Sequence, residues 1–229
     1  MSNIILPQAS LFLGIIPALI LLYISLKGYE GHYKDKFIFL SFVAGIVVGF
    51  ISVLVETFTI AVGILFIILF PVLEQLFKTI ILNIGRLQEK KETVLYGLSL
   101  GLGFGSIFTP FSMLTVQLQT GESIYLIISA VIGSVGIILL HGATGICLGY
   151  GIHTGKLSKY FIFAILLHLP VTAFIFITTM FNIGYLQLGL IPYGLLIYWY
   201  TTKKIMPQIL TQSERRKRSS TKPNKTKKE

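Results

Sequence analysis

The chain has 229 residues, 54% of them hydrophobic and only 12% charged, with a mean hydropathy of +0.81. That composition excludes an ordinary soluble domain and leaves a polytopic membrane protein. The formal charge of +10 does not argue for nucleic acid, because residues 203–229 hold ten Lys or Arg against Glu214 and Glu229, so eight of the ten net charges sit in the C-terminal tail.

Hydrocarbon about 30 Å thick takes roughly 20 apolar residues per helix. Seven such spans are predicted, at about 8–26, 37–55, 58–84, 94–117, 124–151, 160–181 and 184–202. The expected fold class is therefore all-α, with seven transmembrane helices whose backbone polar groups are satisfied internally. The apolar runs are continuous and show no period of two, which excludes a β-barrel. The first span lacks a basic leader and a small-residue cleavage site, so it reads as a retained anchor.

Lys27, Lys34 and Lys36 fall between spans 1 and 2, Arg86, Lys90 and Lys91 between 3 and 4, and Lys156 and Lys159 between 5 and 6. The alternate loops, near Glu56, Glu122 and Asn182, carry no Lys or Arg. The positive-inside rule then gives an N-terminus outside and a C-terminus in the cytoplasm. Two regions follow: a membrane domain over 1–202, with a polar core within 70–175, and a basic tail over 203–229. The tail has no aromatic residue and reads as disordered and attracted to anionic membrane lipids. Nucleic acid is not expected as a partner. The cell membrane is the default location for such a chain. Cys147 is the single cysteine, so no intramolecular disulfide is possible.

Small residues recur at four-residue spacing, at Gly45 and Gly49, at Gly97, Gly101 and Gly105, and at Gly145 and Gly149. Such ridges let helices approach closely in lipid. Pro71 and Pro170 fall inside spans, where a missing N–H favours a kink.

Four ionisable groups interrupt the apolar spans: Glu74, Lys78, His141 and His168. Charge or imidazole in lipid is costly, so each marks a functional-site candidate. Counted at 1.5 Å per residue from the flanking basic residues, Glu74, His141 and His168 lie roughly 14–22 Å from the cytoplasmic boundary. They are expected to meet in one cavity. Glu74 and Lys78, at i and i+4, are expected to form an ion pair. A carboxylate beside two imidazoles suits a general base acting on water, with or without a divalent metal such as zinc. His141 and His168 are the candidate metal ligands, and Gln75 and Thr172 are weak candidates for a third.

Other hydrolytic chemistries fit less well. An intramembrane aspartyl protease needs two membrane-embedded aspartates, and the single aspartate, Asp35, falls in a loop. There is no H-E-x-x-H signature. The G-F-G-S-I-F segment around Ser106 is not a G-x-S-x-G elbow. A transporter would use the same polar groups as a relay, but no internal repeat is found.

Four segments in order, VLEQLFK (Val72 to Lys78), YGLSLGLGFGS (Tyr96 to Ser106), ILLHGATGICLGYG (Ile138 to Gly151) and LLHLPVTAF (Leu166 to Phe174), resemble the PrsW-type glutamate-dependent intramembrane proteases. That family belongs to the superfamily of the CAAX-processing and bacteriocin-processing proteases. The same segments resemble the anterior-pharynx-defective subunit of γ-secretase, a non-catalytic seven-helix relative. The resemblance implies that Glu74 stands at the first glutamate of an E-E-x-x-K motif and Lys78 at its basic residue. His141 and His168 then stand at the family's two histidines.

Four positions depart from the protease pattern: Gln75 replaces the second glutamate, Phe108 and Thr109 stand where a glutamate and asparagine are usual, and Thr172 replaces an asparagine. The resemblance thus implies a degenerate site, and the first reading is a non-catalytic or scaffold member engaging a membrane protease subunit. The alternatives are an active endopeptidase cutting single-span membrane proteins, with Glu74 activating water, His141 and His168 binding metal or stabilising the oxyanion, and Ser106 or Thr109 assisting, and an ion-coupled transporter or channel.

Overall fold

The computed structural model describes residues 5–59, 63–85, 87, 90–120, 124–181 and 183–211. Among these there is no strand, and the α-helices are α1 (Ile5–Leu26), α2 (Asp35–Thr59), α3 (Ile64–Leu82), α4 (Thr93–Ser106), α5 (Phe108–Thr120), α6 (Ile124–His153), α7 (Leu157–Met180) and α8 (Leu190–Tyr200). A short 3-10 segment precedes α8, and a π turn and a second 3-10 turn follow it. Since α4 and α5 are two halves of one path that breaks at Ile107, the described residues hold seven α-helical passes or part-passes.

Five of these are long and apolar enough to cross a membrane: Asp35–Phe58, Ile64–Leu82, Thr93–Leu114, Ile128–His153 and Leu157–Thr178. This is the character of a multi-pass membrane protein. Of the two outermost expected spans, the first coincides with α1, 22 residues long, and the last falls short of that length. The span expected at 184–202 is divided, because Gly184–Gly189 winds as a 3-10 helix and leaves an α-helix of 11 residues.

The second expected loop also moves. Helix α2 runs on to Thr59, so Glu56 is a buried helical residue and not a loop residue. The chain instead breaks at Gly63, whose φ of 72° is a left-handed conformation that side chains resist. At the other end the packed body does not stop at 202. Thr201, Ile205, Met206, Ile209 and Leu210 are all buried, while Lys203 and Lys204 face outward. The tail beyond Thr211 lies outside the described residues.

Helices α4 and α6 form the centre, with 89% and 83% of their spanning segments buried, against 39% for α2 and α3 and 28% for α7. Every residue of α4 is buried. It lies between α2 and α6, with α1 against its end, α8 behind α6, and α3 paired with α7 on the remaining side. The glycine ridges explain this closeness. A Cβ on Gly97 would come 2.2 Å from the Gly145 carbonyl oxygen, and one on Gly101 would come 2.0 Å from the His141 carbonyl oxygen. On the opposite face, Gly45 of α2 would meet the Leu100 carbonyl oxygen at 2.1 Å. Without a driving force from water, this backbone contact and its dispersion energy hold helices together in lipid.

Large apolar side chains such as Phe12, Phe39, Ile64 and Ile162 are exposed on the outer helices, as a lipid-facing surface requires. Helices α3 and α7 run on through Pro71 and Pro170. Near the second proline, the Tyr193 hydroxyl donates to the Leu167 carbonyl at 2.8 Å.

Gly101→Ala is expected to destabilise the protein by about 1–3 kcal/mol, the usual scale of overpacking. Ile162→Val, on the lipid-facing surface, is expected to stay within roughly 0.5 kcal/mol. Thermal unfolding in detergent checks both.

Candidate functional site

Three helices deliver the polar groups. Helix α3 carries Glu74, Gln75 and Lys78 on its inward face, α6 carries His141 and Thr144 one turn apart, and α7 carries His168 and Thr172 one turn apart. All seven side chains are buried, with Glu74, Gln75, Lys78 and His141 fully so. The convergence expected for Glu74, His141 and His168 is present: each offers a carboxylate oxygen or ring nitrogen, and these atoms all lie within 4.8 Å of one another.

The pairing within the cluster differs from the expected one. Glu74 does not pair with Lys78; its Oε2 lies 2.8 Å from His168 Nδ1. Lys78 Nζ instead reaches His141 Nδ1 at 2.7 Å, Thr144 Oγ1 at 3.1 Å and Gln75 Oε1 at 3.3 Å. Three acceptors match the three hydrogens of an ammonium. The same nitrogen lies 4.5 Å from the centre of the Phe104 ring, a cation–π contact. The i,i+4 rule describes helices in water, whereas here acceptors from α6 reach the ammonium first.

Gln75 closes the network, its Nε2 3.0 Å from His168 Nδ1. That ring nitrogen is approached from two sides and serves one partner at a time. Although the Glu74 contact has the length of an ion pair, it lacks hydrogen-bond geometry, and neither Glu74 oxygen has a hydrogen-bond partner from the protein. Two further buried atoms share this condition, His141 Nε2 and Thr172 Oγ1.

Aromatic rings cover the histidines. His141 lies 4.7 Å from Phe104 and 5.1 Å from Phe108, nearly stacked on the latter, and its ring meets His168 edge-on at 5.1 Å. Phe108 therefore shapes the wall of the site.

Two expected supporting residues are engaged elsewhere. The Ser106 hydroxyl donates to the Gly103 carbonyl at 2.7 Å, within its own helix, and Thr109 is hydrogen bonded to Ser134 at 2.7 Å. Conversely, Thr144 was missed by sequence reasoning. Its spacing of three from His141 places it on the same helical face, which was the available signal.

The donor types suit zinc, which takes imidazole and carboxylate ligands. The arrangement does not. A buried ammonium sits directly against one candidate ligand, and a dication beside it would be repelled strongly where little water screens the charges. In addition, ligands on one zinc ion with bonds of about 2.0–2.2 Å stand roughly 3.3 Å or more apart, whereas Glu74 and His168 are 2.8 Å apart.

Comparison with known proteins returns no match: no family model fits the chain, and neither a curated protein nor a solved structure is similar to it at a significant level.

The purified protein is expected to carry no stoichiometric zinc by elemental analysis, and a chelator is expected to leave its thermal midpoint unchanged. A zinc ion per chain, lost with His141→Ala, would overturn this reading of the site.

Proposed function

We propose that this chain is an intramembrane hydrolase, cutting a peptide bond of a single-span membrane protein with Glu74 as general base. The observation that carries this reading is the set of buried, partnerless atoms at the point of convergence: both Glu74 oxygens and His141 Nε2. A polar cluster whose only task is to fix helix packing satisfies its members, because an unpaired buried group costs about 1–3 kcal/mol. Here Lys78 is satisfied threefold while the carboxylate and one imidazole nitrogen remain open to a non-protein partner.

The chemistry balances without a metal. Glu74 removes a proton from a water whose oxygen attacks the scissile carbonyl carbon, and His141 Nε2 donates a hydrogen bond to the resulting oxyanion. His168 Nδ1, beside Glu74 Oε2, gives the acquired proton an acceptor to point at. Glu74 then returns that proton to the leaving nitrogen as the carbon–nitrogen bond breaks, yielding a carboxylic acid and an amine. The resemblance of the four segments to PrsW-type proteases supports the same roles for the same three residues. The basic loops and tail support a topology with the C-terminus in the cytoplasm. Helices α3 and α7, which hold Glu74 and His168, are among the least enclosed, and a substrate helix is expected to approach them from the lipid.

A second reading, a non-catalytic assembly subunit, is favoured by one observation. Phe104 and Phe108 close over His141, and Gln75 stands where the protease pattern has a carboxylate.

The two readings separate in proteoliposomes containing a pool of fluorogenic single-span substrates. Hydrolysis by wild type that falls roughly 10²–10⁴-fold in Glu74→Gln, with the thermal midpoint retained, is the expected result. No cleavage by wild type, with loss of a co-purifying membrane partner in His141→Ala, would replace the hydrolase with the scaffold.

A further inference from the structure

The hydrolytic reading leaves open why His141, a residue with two equivalent places for its hydrogen, should present a donor to the substrate. We infer that Lys78 is a positioning residue that fixes the tautomer of His141, holding it as a neutral imidazole with its hydrogen on Nε2. Its catalytic consequence rests on the hydrolytic reading; the tautomer itself does not.

The argument is an accounting of donors. An ammonium has three hydrogens and no lone pair, so every polar atom it touches must accept. Lys78 touches Gln75 Oε1, Thr144 Oγ1 and His141 Nδ1. The Thr144 hydroxyl donates to the His141 carbonyl at 3.1 Å, which leaves its lone pairs for Lys78 and agrees with the ammonium as donor. His141 Nδ1 is then an acceptor, and its hydrogen lies on Nε2, the nitrogen without a protein partner.

The second histidine is not set in this way, because His168 Nδ1 faces both the Gln75 carboxamide nitrogen at 3.0 Å and Glu74 Oε2 at 2.8 Å. A carboxylate oxygen accepts only and draws a hydrogen toward that nitrogen, whereas the carboxamide nitrogen offers one.

The arrangement has a single competitor with the same heavy-atom positions: a neutral Lys78 amine accepting a hydrogen from His141 Nδ1. It predicts the opposite tautomer. The test is nitrogen-15 NMR of the full chain in lipid nanodiscs with labelled histidine, in which long-range proton–nitrogen correlations separate the two tautomers. His141→Gln and His168→Gln assign the signals among the four histidines. His141 is expected as the Nε2–H tautomer in wild type, becoming a tautomer mixture in Lys78→Met. An Nδ1–H signal from His141 in wild type, or an unchanged His141 in a folded Lys78→Met protein, would overturn the inference. Should Lys78→Met fail to fold, the wild-type signal still decides.

In the hydrolysis assay Lys78→Met is expected to lower kcat about 100-fold with KM little changed, the scale of a misplaced reacting group. The wild-type tautomer as expected, with no hydrolysis, would leave this assignment standing and remove the hydrolase.

Discussion

The site depends on a contact that has no side chain in it. Where α4 crosses α6, Gly97 lies against Gly145, and Gly101 against the backbone of His141, at distances no Cβ could tolerate. Gly105 continues the ridge, an added Cβ there lying 3.2 Å from the Cβ of His141. The imidazole is thereby held at the centre of the molecule. With α2 closing on the other side of α4 through Gly45, Gly49 and Gly103, the middle helix is shut away from lipid on all faces. An enclosed apolar helix of this kind carries the walls of the site, Phe104 among them, and can seat polar groups beside it without exposing them to hydrocarbon.

Charge is the second constraint. One carboxylate and one ammonium are buried on consecutive turns of α3, and burying either without a partner would be expensive. The protein does not simply join them. Lys78 is distributed over three acceptors from two helices and a ring face, whereas Glu74 is left with one close contact, to His168. The charges compensate each other across the cluster as a whole, so the site is nearly neutral. The carboxylate keeps its lone pairs available because the ammonium is satisfied elsewhere.

That division was not legible in the sequence, although much of its setting was. Apolar runs separated by basic clusters marked the helical passes, and counting residues from those clusters brought Glu74, His141 and His168 to one depth, where the structure has them within 4.8 Å. Depth is a one-dimensional quantity and can be read from a helix. Which partner each group chooses is set by rotation and lateral packing, which cannot. The local i,i+4 rule joined Glu74 to Lys78, but Thr144 and His141 from α6 compete for the ammonium and win. Ser106 and Thr109 were site candidates by their hydroxyl chemistry and by the resemblance, although a serine hydroxyl in an apolar helix readily turns back to its own backbone, as Ser106 does toward Gly103. The hydropathy pattern runs across the break at Ile107 and the 3-10 winding of Gly184–Gly189 without a mark.

The enclosure is unequal, and this bears on how a buried site meets a substrate. His141 stands on α6, in the most enclosed part of the molecule, whereas Glu74 and His168 stand on α3 and α7, whose outer sides face lipid. Toward the centre, α3 is tied to α6 by Lys78 and to α7 by Gln75. Toward the other end, Phe66 of α3 stacks loosely on Phe176 of α7, with centroids 6.5 Å apart, and α3 there begins at the left-handed Gly63. Hydrogen bonds in a low-dielectric interior resist separation more strongly than two rings that can exchange contact with lipid or with another apolar helix. The seam between α3 and α7 should therefore part from the Phe66 end toward the polar cluster, and a membrane-embedded segment entering there would reach Glu74 and His168 before it disturbs the ammonium that holds His141.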